Sequence, residues 1–589
     1  MRAALLCLLF LAANAADPVR DAAELDTLIE AQLATDKLAP QPQADAATLQ
    51  RRTWLDLAGR LPTVAESRDL TDLPRRLVGS PAWQHATFEW LADLLRVQSR
   101  LQDRNPGALW IAWLDAAVIT NRPWDVMTRE MLTASGPVYA ADGGATGFVM
   151  RDAGMPLDHA ALTAQTFLGT RIGCAQCHDH PYDRWTRLEF LQFASFSADA
   201  RTDAYGGKNN GLKQQLKDAP PELRNTSRAI ATFVGARVQP ARKDWLEIPK
   251  DWQYEEHKPG EHVSAQALFH PAAPAAAGDP RLRLAAWMTS QENPRFALAI
   301  GNRIWKRMFG LGLVEPVDDL RGEPDAAVPP LQARLTRLVI DNGFDLQRIH
   351  RTLALTRHYG RASWSGALPE KGGVAPGRPV ARIPATAWWD SLVTLATDEP
   401  DARQLIDIAM LTKVRDGILK GGADGIVAAA QRLIAMRKGG QKAAKDDPEL
   451  AAVAQMMRPS RPKAGKDALL RASQLPQPAP PGHPLRILGQ SDRELIDNAS
   501  LQPNTSQALL LMNGVVDGEV LSLRSRLMHD LNALNDPEAR ITHLWQAVLV
   551  RRATDAERVT ARNELARGRD GLADLAWALL NSSEFRLVR

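Results

Sequence analysis

The stretch 162–196, LTAQTFLGTRIGCAQCHDHPYDRWTRLEFLQFASF, places two amphipathic segments around a short polar turn. On both sides of the turn, apolar residues return every three or four positions, which is the period of a helix with one buried face. Thr186 and Glu189 fit a capping box, in which each side chain satisfies the free backbone N–H of the other residue. Similar periods fill most of the chain and strand-like alternation is scarce, so we expect a mainly α-helical protein.

The turn holds the run CAQCH. Cys174 and Cys177 are three positions apart, which puts both sulfur atoms on one side of a helical turn, and His178 follows directly. This is the spacing of a c-type haem attachment site, where the two thiols form thioethers and the histidine is the proximal ligand of the iron. The motif therefore predicts one covalent haem c held by Cys174, Cys177 and His178.

Other interpretations of the motif stay open. A redox dithiol would need a strand-to-helix setting, which the sequence does not show. A zinc or iron cluster has suitable ligand types, although closed structural sites usually draw ligands from two separated segments. Its candidate ligands are Cys174, Cys177, His178, His180 and Asp183. A purely structural role for the two cysteines is the last alternative.

The second axial ligand of such a haem is not fixed by a local motif. No methionine occurs between Met155 and Met288. The iron would either be five-coordinate or use a residue outside the motif, and each such residue has an ordinary core or surface role as its competing interpretation. The candidates are Met150, Met155, His159, His257, His262 and His270.

The first residues predict export. Arg2, the apolar run 3–12 and the small-residue site 13–15 form a secretory signal peptide over residues 1–15. Removal of this peptide would take Cys7 with it and leave only the two cysteines of the motif. Because haem of this type is attached after export, the leader and the motif agree. We expect a periplasmic or secreted protein with no transmembrane segment after signal removal.

Length and composition limit the possible domain organisation and partners. With 589 residues, 45% of them hydrophobic, the chain is long enough for two or more domains. The net charge of +4, from 72 basic and 68 acidic residues, is too balanced for a protein that binds nucleic acid or membrane surfaces by charge. We expect a helical domain with the CxxCH motif over 16–200, an irregular connecting segment with a few short strands over 201–278, and a second helical domain over 279–589. Exposed loops are expected near 365–380 and 437–484, which are rich in Gly, Pro and Lys.

Three Thr-x-x-Glu pairs predict helix starts: Thr63 with Glu66, Thr186 with Glu189, and Thr554 with Glu557. The first and last lie in the similar phrases WLDLAGRLPTVAE (54–66) and WQAVLVRRATDAE (545–557), which suggests two copies of one helical unit. Asn293-Pro294 predicts the start of a further helix, and Gly310 with Gly312 its end.

Two other groups have competing interpretations. The run EPVDDLR brings Glu315, Asp318, Asp319 and Arg321 near a helix that carries Asn302, Arg303, Trp305 and Arg307. Such a group is either an acid/base or metal site or, more commonly, a structural ion-pair network. Trp388 and Trp389 could pack on a haem or a sugar ring, but core packing is the more common use. No phosphate loop, GxSxG elbow or HExxH pair is present, so no hydrolase motif supports a hydrolytic function.

The stretch 162–196, together with ATGFVMRDAG (145–154), resembles the planctomycete-type secreted cytochrome-like domain of unknown function. RLAAWMTSQENPRFALAIGNRIWKRMFGLGLVEPVDDLR (283–321), GFDLQRIHRTLALTRHYGRAS (343–363) and DLAWALLNSSEF (574–585) resemble the planctomycete secreted domain that usually follows it. The resemblance carries the family motif onto Cys174, Cys177 and His178 with the adjoining Asp179, His180, Pro181 and Asp183. It also implies an association with exported sulfatase-like proteins and polysaccharide use.

The expected function is that of an exported c-type cytochrome-like protein, which binds one haem for electron transfer or haem-based redox chemistry through an unknown redox partner. The alternative is a secreted scaffold or carbohydrate-associated binding protein whose Cys/His cluster holds structural zinc or no cofactor. Whether the chain is an enzyme stays open at this point.

Overall fold

A computed structural model describes most of the chain. The described ranges are 17–101, 107–203, 211–269, 278–321, 328–403, 406–457, 469–496, 498–500, 502–514 and 516–588. The predicted signal peptide and His270 lie outside them. No helix in the described ranges combines the length and the apolar character needed to cross a membrane.

The chain is mainly α-helical, which confirms the predicted fold class. The N-terminal helices are α1 (Pro18–Thr35), α2 (Ala46–Thr53), α3 (Leu73–Leu77), α4 (Pro81–Leu94), α5 (Ala108–Ile119), α6 (Trp124–Thr133), α7 (Gly147–Met150), α8 (Pro156–Leu168) and α9 (Arg187–Ala194). The middle helices are α10 (Gly211–Gln215), α11 (Pro221–Gly235), α12 (Pro280–Met288), α13 (Pro294–Phe309), α14 (Pro330–Asp341) and α15 (Leu346–Ala354). The C-terminal helices are α16 (Ala385–Ala396), α17 (Ile408–Lys420), α18 (Gly422–Asp446), α19 (Pro448–Met457), α20 (Pro484–Ile487), α21 (Thr505–Asn513), α22 (Arg526–Ala533), α23 (Pro537–Leu549), α24 (Asp555–Leu565), α25 (Arg569–Leu580) and α26 (Ser583–Arg586).

The strands are short and peripheral. They are β1 (Gly136–Pro137), β2 (Thr202–Asp203), β3 (Arg237–Val238), β4 (Trp245–Glu247), β5 (His262–Ser264), β6 (Ser363–Trp364), β7 (Arg378–Pro379), β8 (Ala381–Arg382) and β9 (Leu587–Val588). The first three form an antiparallel sheet in the order β1-β3-β2, and β4 pairs antiparallel with β5. The pair β6-β7 is parallel and β8-β9 antiparallel.

The protein has two large hydrophobic cores. The first contains apolar residues from the helices between α1 and α15 and from α17 to α19. The second contains residues of α16 and of the helices from α20 onward, and it also takes Leu55 and Leu61 from the N-terminal part. The cores therefore do not divide at the connecting segment 201–278, because each of them contains residues from both sides of that segment.

The irregular structure expected for 201–278 is wrong over α10 and α11. Helix α11 has 15 residues, buries a face that contains Ile230, Phe233 and Val234, and packs against α18. This face has the period of an amphipathic helix, but the polar residues in its first half weaken the pattern. The segment also contains four short strands, β2, β3, β4 and β5.

The exposed loop expected over 437–484 is also wrong where it is described. Helices α18 and α19 occupy 437–457, and Leu475 and Ala479 are buried in the second core. Near 365–380 only the first part is exposed, whereas residues 374–379 are buried and include β7. These segments contain few apolar residues, so the sequence pattern does not reveal which of them are buried.

The two similar phrases share a turn and an ion pair. The π-helical turn Trp54–Ala58 is followed by Gly59, with a φ of 63°, and helix α23 is followed by Val550, with a φ of 60°. The next arginine then pairs with the glutamate of the predicted capping box, Arg60 with Glu66 and Arg551 with Glu557. The reciprocal bonds of all three Thr-x-x-Glu pairs are present, but the first pair leads only into a 3₁₀ turn, whereas the other two begin α-helices.

Buried ion pairs join distant parts of the chain. The Arg60 guanidinium is fully buried and bonds Asp401, which lies 341 residues later. Arg471 is equally buried; it bonds Asp390 and Asp401 and donates to the carbonyl of Ala58. Buried charges tolerate removal from water only when they are paired and hydrogen-bonded, so these contacts hold the two ends of the chain in one arrangement.

Three histidines are held neutral inside the protein. Burial is the main cause that lowers the pKa of His85, His350 and His358 to about 3. The unfolded chain binds a proton to each imidazole below its ordinary pKa of about 6.5. The stability that these groups contribute is therefore complete above that pH and is lost progressively as the pH falls toward the folded value.

We expect the substitution His350→Gln to weaken the acid sensitivity of the protein. Between pH 7 and pH 4.5 the wild type should lose about 2 to 3 kcal/mol more of its unfolding free energy than the variant, because about 1.4 kcal/mol is lost per pH unit below the unfolded pKa. Urea unfolding at the two pH values measures this difference. The exposed His529→Gln is the matched control, and an equal pH response of His350→Gln and wild type would contradict the prediction.

Candidate functional site

The cysteine motif lies on a single tight turn. Helix α8 ends at Gly169, whose positive φ of 57° turns the chain, and a short 3₁₀ turn then covers Gly173–Gln176. The buried Ala175 anchors this turn, while Cys174 and Cys177 are both exposed and free of a disulfide. One short turn thus carries two exposed, unpaired thiols.

His178 is exposed next to these thiols, and one of its ring nitrogens has a defined hydrogen-bond role. Nδ1 lies 2.7 Å from the carbonyl oxygen of Asp179. Because a carbonyl oxygen only accepts hydrogen bonds, Nδ1 is the donor, and in the neutral imidazole Nε2 is the nitrogen with the lone pair. A bond of this kind from the other ring nitrogen is typical of metal-bound histidines, since it fixes the tautomer and raises ligand basicity.

The second half of the chain holds the turn from one side. Arg171 bonds both carboxylate oxygens of Asp318 at 2.8 Å, and the Leu320 N–H donates to the Gly169 carbonyl at 2.6 Å. Asp318 is buried, so this ion pair is shielded from solvent on one side. The loop of the EPVDDLR run is therefore a support for the cysteine turn.

The connecting segment holds the turn from another side. The backbone N–H of Asp179 donates to the Tyr254 hydroxyl at 2.8 Å, and the Asp179 carboxylate accepts from the Arg187 N–H at 2.8 Å. Arg187 also pairs with Asp251 at 2.9 Å and stacks over Trp252. Asp179 thus joins the histidine, the start of α9 and the segment that carries Tyr254. No local pattern in the sequence identifies Tyr254 or Asp251 as partners of the motif.

One feature beside the turn suits contact with a flat, partly apolar group. The side chain of Tyr182, four residues after His178, is 81% exposed, whereas Trp185 is buried. An exposed aromatic ring gains free energy when a ligand covers it.

The additional zinc candidates are tied into the turn itself. Nδ1 of His180 accepts the backbone N–H of Tyr182, and Oδ1 of Asp183 accepts the backbone N–H of Arg184. Within the described ranges, no three His, Cys, Asp or Glu side chains gather in an arrangement that could hold a metal ion. The zinc alternative with Cys174, Cys177, His178, His180 and Asp183 stays a prediction, without geometric support.

Two domain families match the chain. PSCyt2, a protein of unknown function (DUF1549), matches residues 24–202, and PSD1, a protein of unknown function (DUF1553), matches residues 280–565. One segment of the chain therefore matches each family, in that order. Their order confirms the resemblance described for the sequence. No curated protein and no solved structure matches the chain significantly.

The candidates for a second axial ligand lie in different surroundings. In the PSCyt2 segment (24–202), Met150 and His159 are buried in the first core, and His159 bonds the Asp152 carboxylate at 3.2 Å. His262 stacks on Trp245 with ring centres 3.6 Å apart. His257 lies edge-on to Trp252, so it belongs to the segment that docks beside the cysteine turn. Of the candidates in the described ranges, His257 is linked to the neighbourhood of His178 through Trp252 and Arg187.

In the PSD1 segment (280–565), the EPVDDLR loop with its neighbouring helix and the pair Trp388 and Trp389 make structural contacts. Glu315 pairs with Lys306 and Asp319 with Arg321, and Asn302 exchanges two hydrogen bonds with the backbone of Val314. Arg303 donates to the carbonyls of Gln165 and Thr166. Trp388 and Trp389 are buried in the second core, where Trp389 donates to the Leu470 carbonyl. These contacts confirm the more common interpretation of both groups.

Proposed function

We propose that the PSCyt2 segment carries one covalent haem c on Cys174 and Cys177, with His178 as the proximal ligand, and that the exported protein transfers electrons. The observation that carries this proposal is the make-up of the turn: two free, exposed thiols three residues apart, followed by an exposed histidine whose Nδ1 is the donor. These donors fit the group that the motif implies.

The attachment chemistry needs only the two thiols. Cys174 and Cys177 would each add S–H across one vinyl double bond of the haem, which would form one S–C bond, place the hydrogen on the neighbouring carbon and release nothing. The step requires no oxidant, but both thiols must be reduced. The exposed positions of Cys174 and Cys177 allow two adjacent vinyl groups to reach them without opening the core.

The chain's own residues then hold His178 in place. The Asp179 carbonyl accepts a hydrogen bond from Nδ1, so Nε2 is the nitrogen left for the iron, while Tyr254 and Arg187 hold Asp179 itself. Tyr182 would cover part of the porphyrin and exclude water from it, which lowers the local dielectric around the iron. When bound, haem supplies one-electron chemistry whose potential depends on the axial ligands and on burial.

Production of the full chain in a bacterium with the haem-attachment machinery tests the proposal. We expect a red protein whose Soret band stays with the polypeptide after extraction with acidified acetone, and an intact mass raised by one haem. The same chain made without its first 15 residues should stay colourless, because attachment follows export. Colourless exported protein of unchanged mass would overturn the proposal, and bound zinc in that material would favour the scaffold alternative.

A further inference from the structure

A cavity of about 310 Å³ lies where the two family segments meet, at the small end of the range of about 300–1,000 Å³ for ligand sites. Residues 62–68 form one wall, and residues of α16, α22 and α23 form the others. The cavity lies apart from the cysteine turn, since none of residues 171–185 lines it.

The inner surface of the cavity is apolar. Leu395, Leu527 and Ala547 line it and are buried in the second core. The partly buried Val64 lines it from the N-terminal wall. A small apolar group of a ligand would gain free energy by leaving water for this surface, and the lining side chains would need little rearrangement because they are already held in position.

The charged residues of the PSD1 wall have an excess of negative charge. Arg526 bonds Asp398 and Asp530, each at 2.7 Å, so two carboxylates share one guanidinium. His543 lies 3.8 Å from Asp530, but burial lowers the pKa of its imidazole and keeps it neutral near pH 7. This wall therefore has one unbalanced negative charge.

The N-terminal wall has the opposite imbalance. Arg68 lines the same cavity, and its side chain is exposed. In the described part of the protein its guanidinium forms no ion pair or hydrogen bond. The cavity thus combines one unpaired positive charge on the N-terminal wall and one unbalanced negative charge on the PSD1 wall with apolar side chains from both.

We propose that this cavity binds a small zwitterion of the α-amino acid class with an apolar side chain. Its carboxylate would pair with Arg68, its ammonium group with Asp398 and Asp530, and its side chain would lie against Leu395 and Leu527. Bidentate pairing of a guanidinium with a carboxylate gives orientation as well as affinity. The proposal is independent of haem attachment, because no residue is shared with the cysteine turn.

Calorimetric titration of the full mature chain with three probes tests the proposal. The probes are L-phenylalanine, 3-phenylpropanoate, which lacks the ammonium group, and 2-phenylethylamine, which lacks the carboxylate. The titration is carried out at about pH 8, where exposed imidazoles are neutral. We expect L-phenylalanine to bind at least about tenfold more tightly than either singly charged probe.

Two substitutions should then test the two charged contacts separately. Arg68→Gln should lower the affinity for L-phenylalanine and 3-phenylpropanoate by about tenfold and leave the affinity for 2-phenylethylamine unchanged. Asp398→Asn should lower the affinity only for the two probes that have an ammonium group. Arg524→Gln, which removes an exposed arginine outside the cavity, is the matched control. The proposal is overturned if no probe binds at up to about 10 mM, or if neither substitution changes the affinity for any probe. Equal affinity for L-phenylalanine and 3-phenylpropanoate would likewise overturn it, in favour of a simple anion site.

Discussion

The double variant Cys174→Ala/Cys177→Ala is expected to be colourless after export in a haem-attaching host, while the wild type is red. Both thioether bonds are lost, so haem has no covalent hold on the chain. Each single variant should lose most of its colour, because one sulfur atom of the turn is missing. Absorption spectra and intact mass of the exported proteins measure the loss, and circular dichroism shows whether the helical fold is kept.

The histidine and its neighbours sharpen this test. His178→Ala should bleach or shift the Soret band, because the proximal nitrogen is removed. The matched controls are His180→Ala and Asp183→Asn, which change residues of the same turn that only the zinc alternative requires. Normal spectra in both controls would support haem attachment. An unchanged spectrum in the cysteine double variant would show that any bound pigment lies elsewhere.

The substitution Arg471→Met is expected to destabilise the protein by about 3 to 5 kcal/mol, the usual cost of removing one partner of a buried ion pair. The Arg471 side chain has no exposed surface and bonds Asp390 at 2.8 Å and Asp401 at 2.6 Å. Burial already raises the pKa of Asp390, so this carboxylate tolerates the loss of its cation poorly. Thermal and urea unfolding should show a clearly lower midpoint.

The double variant Arg471→Met/Asp390→Asn is the informative comparison. It removes the unpaired charge, and the new amide oxygen still accepts the Ala472 N–H, so much of the lost stability should return. Arg567→Met, at an exposed arginine of the same half, should stay within about 0.5 kcal/mol of the wild type. A normal midpoint for Arg471→Met would show that the network contributes little.

Local patterns in the sequence predict the local features of this protein. The helical period, the Thr-x-x-Glu pairs and the CxxCH spacing all describe contacts within a few residues, and the structure forms the helices and caps there. The supports of the cysteine turn are of another kind. Tyr254 and Asp318 contact it from 75 and 147 residues away, and no period or spacing connects such positions. Long-range pairing is set by packing, which a single sequence does not display.

The wide separation of the buried charge partners has a consequence for the order of folding. Arg60 is synthesised 341 residues before Asp401, and Glu89 is made 404 residues before Arg493, its partner in another buried pair. At translation rates of about 5–20 residues per second, the N-terminal helices wait tens of seconds before these counterions exist. During that time the early chain exposes apolar surface that nothing yet covers, so its maturation should depend on chaperones that keep the nascent polypeptide from aggregating.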